Sequence, residues 1–526
     1  MPEIIARNSC IMIEDYNMGD SKELERNFMV YDPTYHKFNI LGMYYSVKDK
    51  TLYLPRGIDI WKIKQYLHVR DHTVADPDPF LETGLIKMKY KPRDEEQQEA
   101  LKFMVGLAPY EQNLYLPQLS VNLNTGKGKT YCSIAAISFL RIKSIIITGS
   151  TSLLKQWKSN IREYTDLEEK DILFITGSPM MNMILHDKSL QAKNAKIFLC
   201  THATIRSFCE TYGWKKLRDV FKVLGIGMKF FDEAHTNFDN MLMIDFFTNC
   251  LKTFYVTATP GRSDYKEDRI YKLSIKNVPG IDLFNVERDP HTDYIAIKYN
   301  SHPNPTDIKF CYNYKYGLNR INYIKYLMKN ETFWMVMRVI MDMYLKCKGR
   351  GLFYIGTNEG ILTVYNWIMM NYPQLIDQVG IFSSIVSGEE KMRMKNKKLL
   401  LSTTKSAGLG EHIEGLKMTV VVAEPFKSQI LTRQTLGRTR DKDTVYIELV
   451  DLGFKYTRNY YYAKLPVLNK YALSVSDTTM DGYELRQRAQ RIIEKQEKKM
   501  TMCPIYYIDT GKYKLTKEDE LDSDEE

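Results

Sequence analysis

Residues 120–140 read SVNLNTGKGKTYCSIAAISFL. An apolar run closes at Leu123, a Gly/Lys turn follows, and an apolar helix-type pattern starts at Thr130. Strand, glycine turn and helix in that order form the setting of a phosphate-binding loop. Backbone N–H groups of the turn and of the helix start converge there on an anion. The general pattern asks for Gly, four residues and then Gly-Lys-Ser/Thr. Gly128, Lys129 and Thr130 supply the end of it, but Leu123 stands where the first glycine belongs. A solvated Gly/Lys turn explains the stretch equally simply, so the surrounding chain has to decide.

Outward from this stretch, short apolar runs alternate with helix-type segments: SIIITG (144–149), KIFLCT (196–201), MKFFDE (228–233) and TFYVTA (253–258). Each has the length of a buried parallel strand and ends in small or polar residues. This rhythm predicts a doubly wound α/β domain, whose functional residues belong at the carboxyl ends of the strands. A second series, GLFYIG (351–356), VGIFSS (379–384), KLLLSTT (398–404), TVVVAE (419–424) and TVYIELV (444–450), predicts another. The expected fold class is therefore α/β, two tandem parallel-sheet domains. A small α+β accessory domain precedes them and a short helical extension follows. The expected boundaries are 1–88 for the accessory domain, 89–268 for the first α/β domain, 269–318 for a linker region, 319–455 for the second α/β domain and 456–526 for the extension with its acidic tail.

Composition narrows the classes. The 526 residues are 44% hydrophobic and 26% charged, as in ordinary globular proteins. FWMVMRVIMDMYL (333–345) is interrupted by Arg338 and Asp342, so it reads as an amphipathic helix, and no membrane partner is expected. No secretory signal pattern opens the chain. The eight cysteines are scattered singly, which predicts neither a zinc site nor a disulfide framework and fits a reducing, cytoplasmic setting. The net charge of +10 includes the acidic end KEDELDSDEE (517–526), so the body is more basic than the total and suits an anionic partner such as nucleic acid.

The chemistry follows from two places. Lys129 is suited to neutralise the β- and γ-phosphates of ATP, and the Thr130 hydroxyl to bind Mg²⁺. About a hundred residues on, the strand MKFFD delivers Asp232 and Glu233 at its carboxyl end. Asp232 is the candidate Mg²⁺ ligand, and Glu233 the candidate base that orients and deprotonates the attacking water.

Taken in order, these motifs resemble a superfamily 2 helicase, with Asp232, Glu233, Ala234 and His235 as its DEAH box. TFYVTATPGRSD (253–264) resembles motif III and its extension in the XPB, RadD and type III restriction branch, carrying Thr257, Thr259 and Arg262. IIITGSTSLLKQWKSNI (145–161) resembles motif Ia, with Thr151 and the pair Gln156-Trp157. FLCTHATI (198–205) resembles motif Ib or Ic at Thr201. PRDEEQQEAL (92–101) resembles the adenine-reading motif, with Gln97 in place but Glu96 where the family has an aromatic residue. LLLSTTKSAGLGEHIEGL (399–416) resembles motif V, with Thr403 and Gly410. SQILTRQTLGRTRD (428–441) resembles motif VI, with Gln434, Gly437 and Arg438 in register and Arg440 one residue early. Many members of this superfamily use a loop without the first glycine, and Thr125-Gly126-Lys127-Gly128-Lys129-Thr130 matches that form.

The resemblance implies two RecA-like domains with ATP and Mg²⁺ held between them. Gln434, Arg438 and Arg440 would stabilise charge on the transferred phosphoryl group. His235, Thr257, Thr259 and Gly410 would couple nucleotide state to movement. Thr151, Thr201, Arg262 and Thr403 would contact nucleic acid, and Trp157 would stack on a base unless it packs, as such a residue on an amphipathic helix more often does. The pattern of residues 1–88 is similar to the accessory domain of UvsW-type phage helicases, which implies single-stranded, forked or branched DNA as partner, in a host cytoplasm. A weaker resemblance to poxviral transcript-release helicases, through motif V, keeps RNA open. Only about 85 residues follow motif VI, fewer than the DEAH-type RNA helicases carry. A non-catalytic branched-DNA-binding module is the alternative of another class.

Overall fold

The structure is a computed structural model that describes residues 1–500 other than 33–36, 124–126, 187–191, 193, 235–236, 258–264, 284–290, 314–316, 348, 387, 408–412, 439–442 and 481. The chain forms two compact units, Met1–Glu287 and Arg288–Glu526.

The first unit opens with β1 (Glu3–Ala6), β2 (Cys10–Glu14), α1 (Lys22–Arg26), β3 (Met29–Asp32), β4 (Lys37–Ile40), β5 (Tyr44–Ser46), β6 (Thr51–Pro55), α2 (Ile60–Tyr66) and β7 (His72–Val74). Five of these strands make a sheet in the order β5-β6-β2-β1-β7, antiparallel except for the parallel pair β1–β7. β3 and β4 form a separate antiparallel pair.

The larger sheet of this unit contains β8 (Gln118–Asn122), β9 (Ser144–Thr148), β10 (Ile172–Ile175), β11 (Ile197–Thr201), β12 (Met228–Asp232), β13 (Lys252–Thr257) and β14 (Gly280–Asp282). Their order is β10-β11-β9-β12-β13-β8-β14, and every pairing is parallel. The helices are α3 (Glu95–Val105), α4 (Lys129–Leu140), α5 (Thr151–Tyr164), α6 (Gly177–His186), α7 (His202–Tyr212), α8 (Lys215–Leu224), α9 (Phe238–Phe246) and α10 (Tyr265–Ile275). Successive strand residues face opposite sides. Phe230, Phe254, Ile146 and Val121 therefore join one core with residues of α3, α4 and α5. Phe231, Tyr255, Ile145 and Ile147 join the other, which also contains Ile11, Leu52, Tyr53 and Phe246. The N-terminal sheet thus shares a core with the face of the large sheet opposite α4. Tyr53 and Tyr44 lie 5.1 and 5.3 Å from Phe247.

The second unit repeats the plan. Its strands are β15 (Thr292–Tyr299), the short pair β16 (Tyr312–Asn313) and β17 (Gly317–Leu318), β18 (Arg350–Ile355), β19 (Val379–Phe382), β20 (Leu399–Ser402), β21 (Leu416–Ala423), β22 (Thr444–Asp451) and β23 (Ser474–Thr479). Its all-parallel sheet runs β19-β20-β18-β21-β22-β15-β23. Its helices include α11 (Glu331–Lys346), α12 (Asn358–Asn371), α13 (Gln429–Leu436), α14 (Lys455–Tyr471) and α15 (Gly482–Met500). The two parallel sheets, each with helices, are tandem RecA-like domains.

Two expected boundaries need correction. Residues 269–318 are not a separate linker: β14 belongs to the first large sheet, and β15 lies inside the second, between β22 and β23. Likewise 456–526 is not simply an extension, because α14 packs on β22 and α13, and β23 is an edge strand of the second sheet. β15 sits next to the sheet edge and β23 forms it, where one side stays wet. TDYIAIKY and SVSDTT therefore lack the unbroken apolar run of a central strand. Among the described residues no helix is long and apolar enough to cross a membrane.

Candidate active site

The carboxyl edge of the first large sheet gathers the motif residues. β8 leads through Leu123 into the loop, and Leu123 N–H donates to the Thr257 carbonyl at the end of β13 (3.0 Å). Thr125 and Gly126 lie outside the described residues. Gly128 begins α4 with φ +87°, in the left-handed region that glycine adopts without strain. A Cβ there would stand 2.3 Å from Gln97 Nε2, so the residue is fixed twice over. The buried Gln97 donates from Nε2 to the Lys127 carbonyl (3.3 Å) and accepts the Arg93 N–H at Oε1 (2.9 Å). The adenine-motif residue thus touches the phosphate loop directly. α3, which carries it, is capped by Asp94 accepting the Gln97 N–H (2.9 Å). Glu96 pairs with Lys127 at 2.7 Å. The first lysine of the loop is therefore drawn aside, and Lys129 is the cation of the first helical turn.

Lys129 Nζ lies 3.1 Å from Glu233 Oε1. This pair joins the start of α4 to the end of β12, residues 104 positions apart in the chain. Glu233 has φ +51°, a backbone conformation uncommon for a non-glycine residue and concentrated at functional sites. The turn is held by Ala234 N–H donating to the Val256 carbonyl (3.1 Å). Asp232 is half-buried; desolvation, then the adjacent Glu233 charge, pushes its carboxyl up to about 6 against the opposing pull of Lys129. The Asp232 carboxylate and Thr130 hydroxyl are hard oxygen donors of the kind Mg²⁺ prefers, so the donor set fits that ion.

Of the two roles open to Trp157, stacking or packing, the structure shows packing. It is 3% exposed in the core beneath α5, and its Nε1–H donates to Asp232 Oδ2 at 2.8 Å. A buried indole has no face to offer a base, which does not fit the stacking role. α5 itself is capped by Ser150, whose Oγ accepts the Leu153 N–H (3.4 Å), and Thr151 stands exposed as its first residue. Thr201 is different: it is buried, and its Oγ1 accepts the Thr204 N–H (3.1 Å) as the cap of α7. That hydroxyl serves the start of α7, as the Thr403 hydroxyl serves the turn after β20. Thr257 is buried at the end of β13. His235, Thr259 and Arg262 lie outside the described residues.

In the second unit, Thr403 follows β20, and its Oγ1 accepts the Ser406 N–H (3.0 Å). Its neighbour Thr404 is held by Glu424 at the end of β21, through the Thr404 N–H (2.9 Å) and hydroxyl. Gln434 and Arg438 are 7% and 6% exposed, on α13 and just past its end. Arg438 N–H donates to the Thr435 carbonyl (3.2 Å), and the Thr435 hydroxyl meets Tyr446 OH at 2.9 Å. Gly410 and Arg440 lie outside the described residues. Sequence reasoning missed Glu424 and the Glu96–Lys127 pair. An acid closing the run TVVVA, and a carboxylate beside a Gly/Lys loop, were the available signals.

Residues 89–262 match the family model described as "Type III restriction enzyme, res subunit". Together with the two parallel-sheet domains, this match makes the chain an enzyme of the nucleic-acid-dependent ATPase and helicase class. No curated protein matches the sequence. Solved structures similar to it include Dbp5 of S. cerevisiae bound to RNA and ADP BeF3, at 14% identity and TM-score 0.49, covering 82% of this chain and 96% of that one. Another is UvsW of T4, at 15% identity and TM-score 0.35, covering 91% of this chain and 99% of that one.

Proposed function

We propose that the protein is an ATP-dependent DNA helicase or translocase of the DEAH-box, XPB/RadD/type III restriction branch of superfamily 2, acting on branched or duplex DNA in phage or viral replication, recombination or repair. The observation that carries the reading is the Lys129–Glu233 pair, 3.1 Å across the carboxyl edge of the sheet. Before nucleotide arrives, each charge neutralises the other. The γ-phosphate competes for Lys129, which releases the Glu233 carboxylate to take the proton of the attacking water. Thr130 and Asp232 would hold Mg²⁺, which neutralises charge on the phosphates. Gln97 would read the base beside the loop. Gln434, Arg438 and Arg440 are assigned to the charge that develops on the transferred phosphoryl group. Thr151, Thr201, Thr403 and Arg262 are assigned to the nucleic-acid backbone, where contacts give affinity without sequence information. His235, Thr257, Thr259 and Gly410 are assigned to coupling.

DNA is favoured over RNA because the matched family model is described as that of a type III restriction enzyme, and because the motif III extension TATPGRSD resembles that branch. The test is ATPase activity of the wild type and of Glu233→Gln, with single-stranded DNA, forked DNA, RNA or no nucleic acid. DNA should stimulate the wild type several-fold. Glu233→Gln should bind ATP and lose turnover by about 10²-fold or more. Activity indifferent to nucleic acid, or unchanged in the variant, overturns the reading; stimulation by RNA alone replaces it with an RNA helicase.

A further inference from the structure

The indole of Trp157 is an unusual neighbour for a carboxylate expected to bind a metal. It sits at the seventh position of α5, deep in the core, with Leu153, Leu154 and Ile161 buried along the same helix. Packing alone would be served by any large apolar residue. What the indole adds is one N–H, and that N–H reaches Asp232 Oδ2 at 2.8 Å across 75 positions of sequence. The donor is rigid: Trp157 has only two side-chain torsions, and both are fixed by burial. One Asp232 oxygen is therefore pinned in direction. The carboxylate has lost the rotation that an unrestrained side chain would have to give up when it binds a cation.

The same bond ties two parts of the molecule. α5 begins with Thr151, exposed at the carboxyl edge of β9. Six helical residues, about 9 Å of rise, separate Thr151 from Trp157. The helix end assigned to nucleic acid and the carboxylate assigned to Mg²⁺ are joined through one stiff element and one hydrogen bond.

We propose that Trp157 is a positioning residue for Mg²⁺-dependent nucleotide binding: its indole N–H presets the Asp232 carboxylate for the ion and links that carboxylate to α5. The proposal rests on the ATPase reading above and adds to it a residue that touches neither the nucleotide nor nucleic acid. Outer partners of metal ligands commonly change metal affinity by ten-fold or more when lost.

The experiment measures binding of a fluorescent ATP analogue to the full-length protein, with and without Mg²⁺, for the wild type and Trp157→Phe. Phenylalanine keeps an aromatic ring in the core and removes the donor. The Mg²⁺ concentration for half-maximal nucleotide binding should rise about ten-fold in the variant, while metal-free nucleotide affinity stays within about two-fold. An unchanged Mg²⁺ requirement overturns the proposal, and so does an equal loss of metal-free affinity, which is the mark of a merely structural role. A wild type that binds no nucleotide overturns the ATPase reading and this proposal together; a wild type that binds normally beside an indifferent variant overturns this proposal alone. Should Trp157→Phe fail to fold, the wild type still decides. With ¹⁵N-labelled tryptophan, one of the five indole N–H resonances should shift when Mg²⁺ is added to the nucleotide complex. Five unmoved resonances overturn the assignment.

Discussion

Arg438 carries its charge on a backbone that three contacts immobilise. Gly437 N–H donates to the Arg433 carbonyl (3.0 Å), Arg438 N–H to the Thr435 carbonyl (3.2 Å), and the Thr435 hydroxyl meets Tyr446 OH on β22 (2.9 Å). A fixed backbone beneath the guanidinium suits stabilisation of charge that exists only in the transition state, because less reorganisation is needed when that charge appears. Arg438→Ala should therefore lose turnover by about 10²-fold or more and keep ATP affinity within a few-fold. Single-turnover hydrolysis beside equilibrium binding separates the two, and ATPase equal to wild type removes Arg438 from the mechanism. His202 makes a prediction about acid stability. It is buried as the first residue of α7, stacked on Phe231 at 5.9 Å, and burial depresses its pKa to about 4. The unfolded chain protonates His202 near 6.5 while the folded chain does so only near 4. The folded state thus binds fewer protons, and the stability present above pH 6.5 is lost as pH falls through that window. Between pH 7 and 5 the cost from this residue is about 2 kcal/mol. Urea midpoints at the two pH values should differ less in His202→Phe than in wild type.

At the scale of elements, β12 is held from both ends. Asp232 and Glu233 lie at its carboxyl end, and Lys229 lies three residues before Asp232 with no exposed side-chain surface. Lys229 Nζ meets Asp245 Oδ1 of α9 at 2.5 Å, Thr248 Oγ1 at 2.6 Å and Ser9 Oγ at 3.1 Å, and Asp245 also accepts from Tyr255 OH (2.6 Å). Lys229→Ala leaves the Asp245 carboxylate buried without its counter-ion, and breaking such a pair from one side costs about 3–5 kcal/mol. Denaturant unfolding should show a loss of that size, whereas Ser9→Ala should cost about 1 kcal/mol. None of this network was legible in the sequence. A lysine inside MKFFD reads as a solvated position, and nothing local announces an acid sixteen residues on. The central strands were legible, because a parallel strand buried on both faces has to be an apolar run. β15 and β23 were not, because a strand near the edge of a sheet keeps one wet side and alternates. The same division holds in the site. Lys129, Asp232 and Glu233 stood out because their chemistry fixes both their type and their place at a strand or helix end. Trp157 stayed open in the sequence because an aromatic residue on an amphipathic helix has the same local pattern whether it stacks, packs or donates a hydrogen bond.

For the whole molecule, the question is where the chain can be divided. Met1–Glu287 contains Gln97, Lys129, Thr130, Asp232 and Glu233, while Gln434 and Arg438 belong to the other unit. A fragment of residues 1–287 should fold in one cooperative transition and bind ATP, yet fail to hydrolyse it, because the groups assigned to the developing charge are missing. The N-terminal sheet cannot be removed in the same way. Tyr53 packs on Phe246 and Phe247, and Gly42 lies so close to Ile270 and Leu242 that an added Cβ would stand 2.7 and 3.5 Å from them. Deleting residues 1–75 would expose these large side chains at about 1.5–3 kcal/mol each, a sum on the order of the entire stability of an ordinary domain. The fragment 76–287 should therefore aggregate or melt well below 1–287. Circular dichroism melts of the two fragments, with ATP binding to each, check the point. If 76–287 proves as stable as 1–287, the shared core contributes little and the N-terminal sheet is an independent module. A stable 76–287 that also binds ATP would place the nucleotide half of the enzyme entirely in the parallel sheet and its helices.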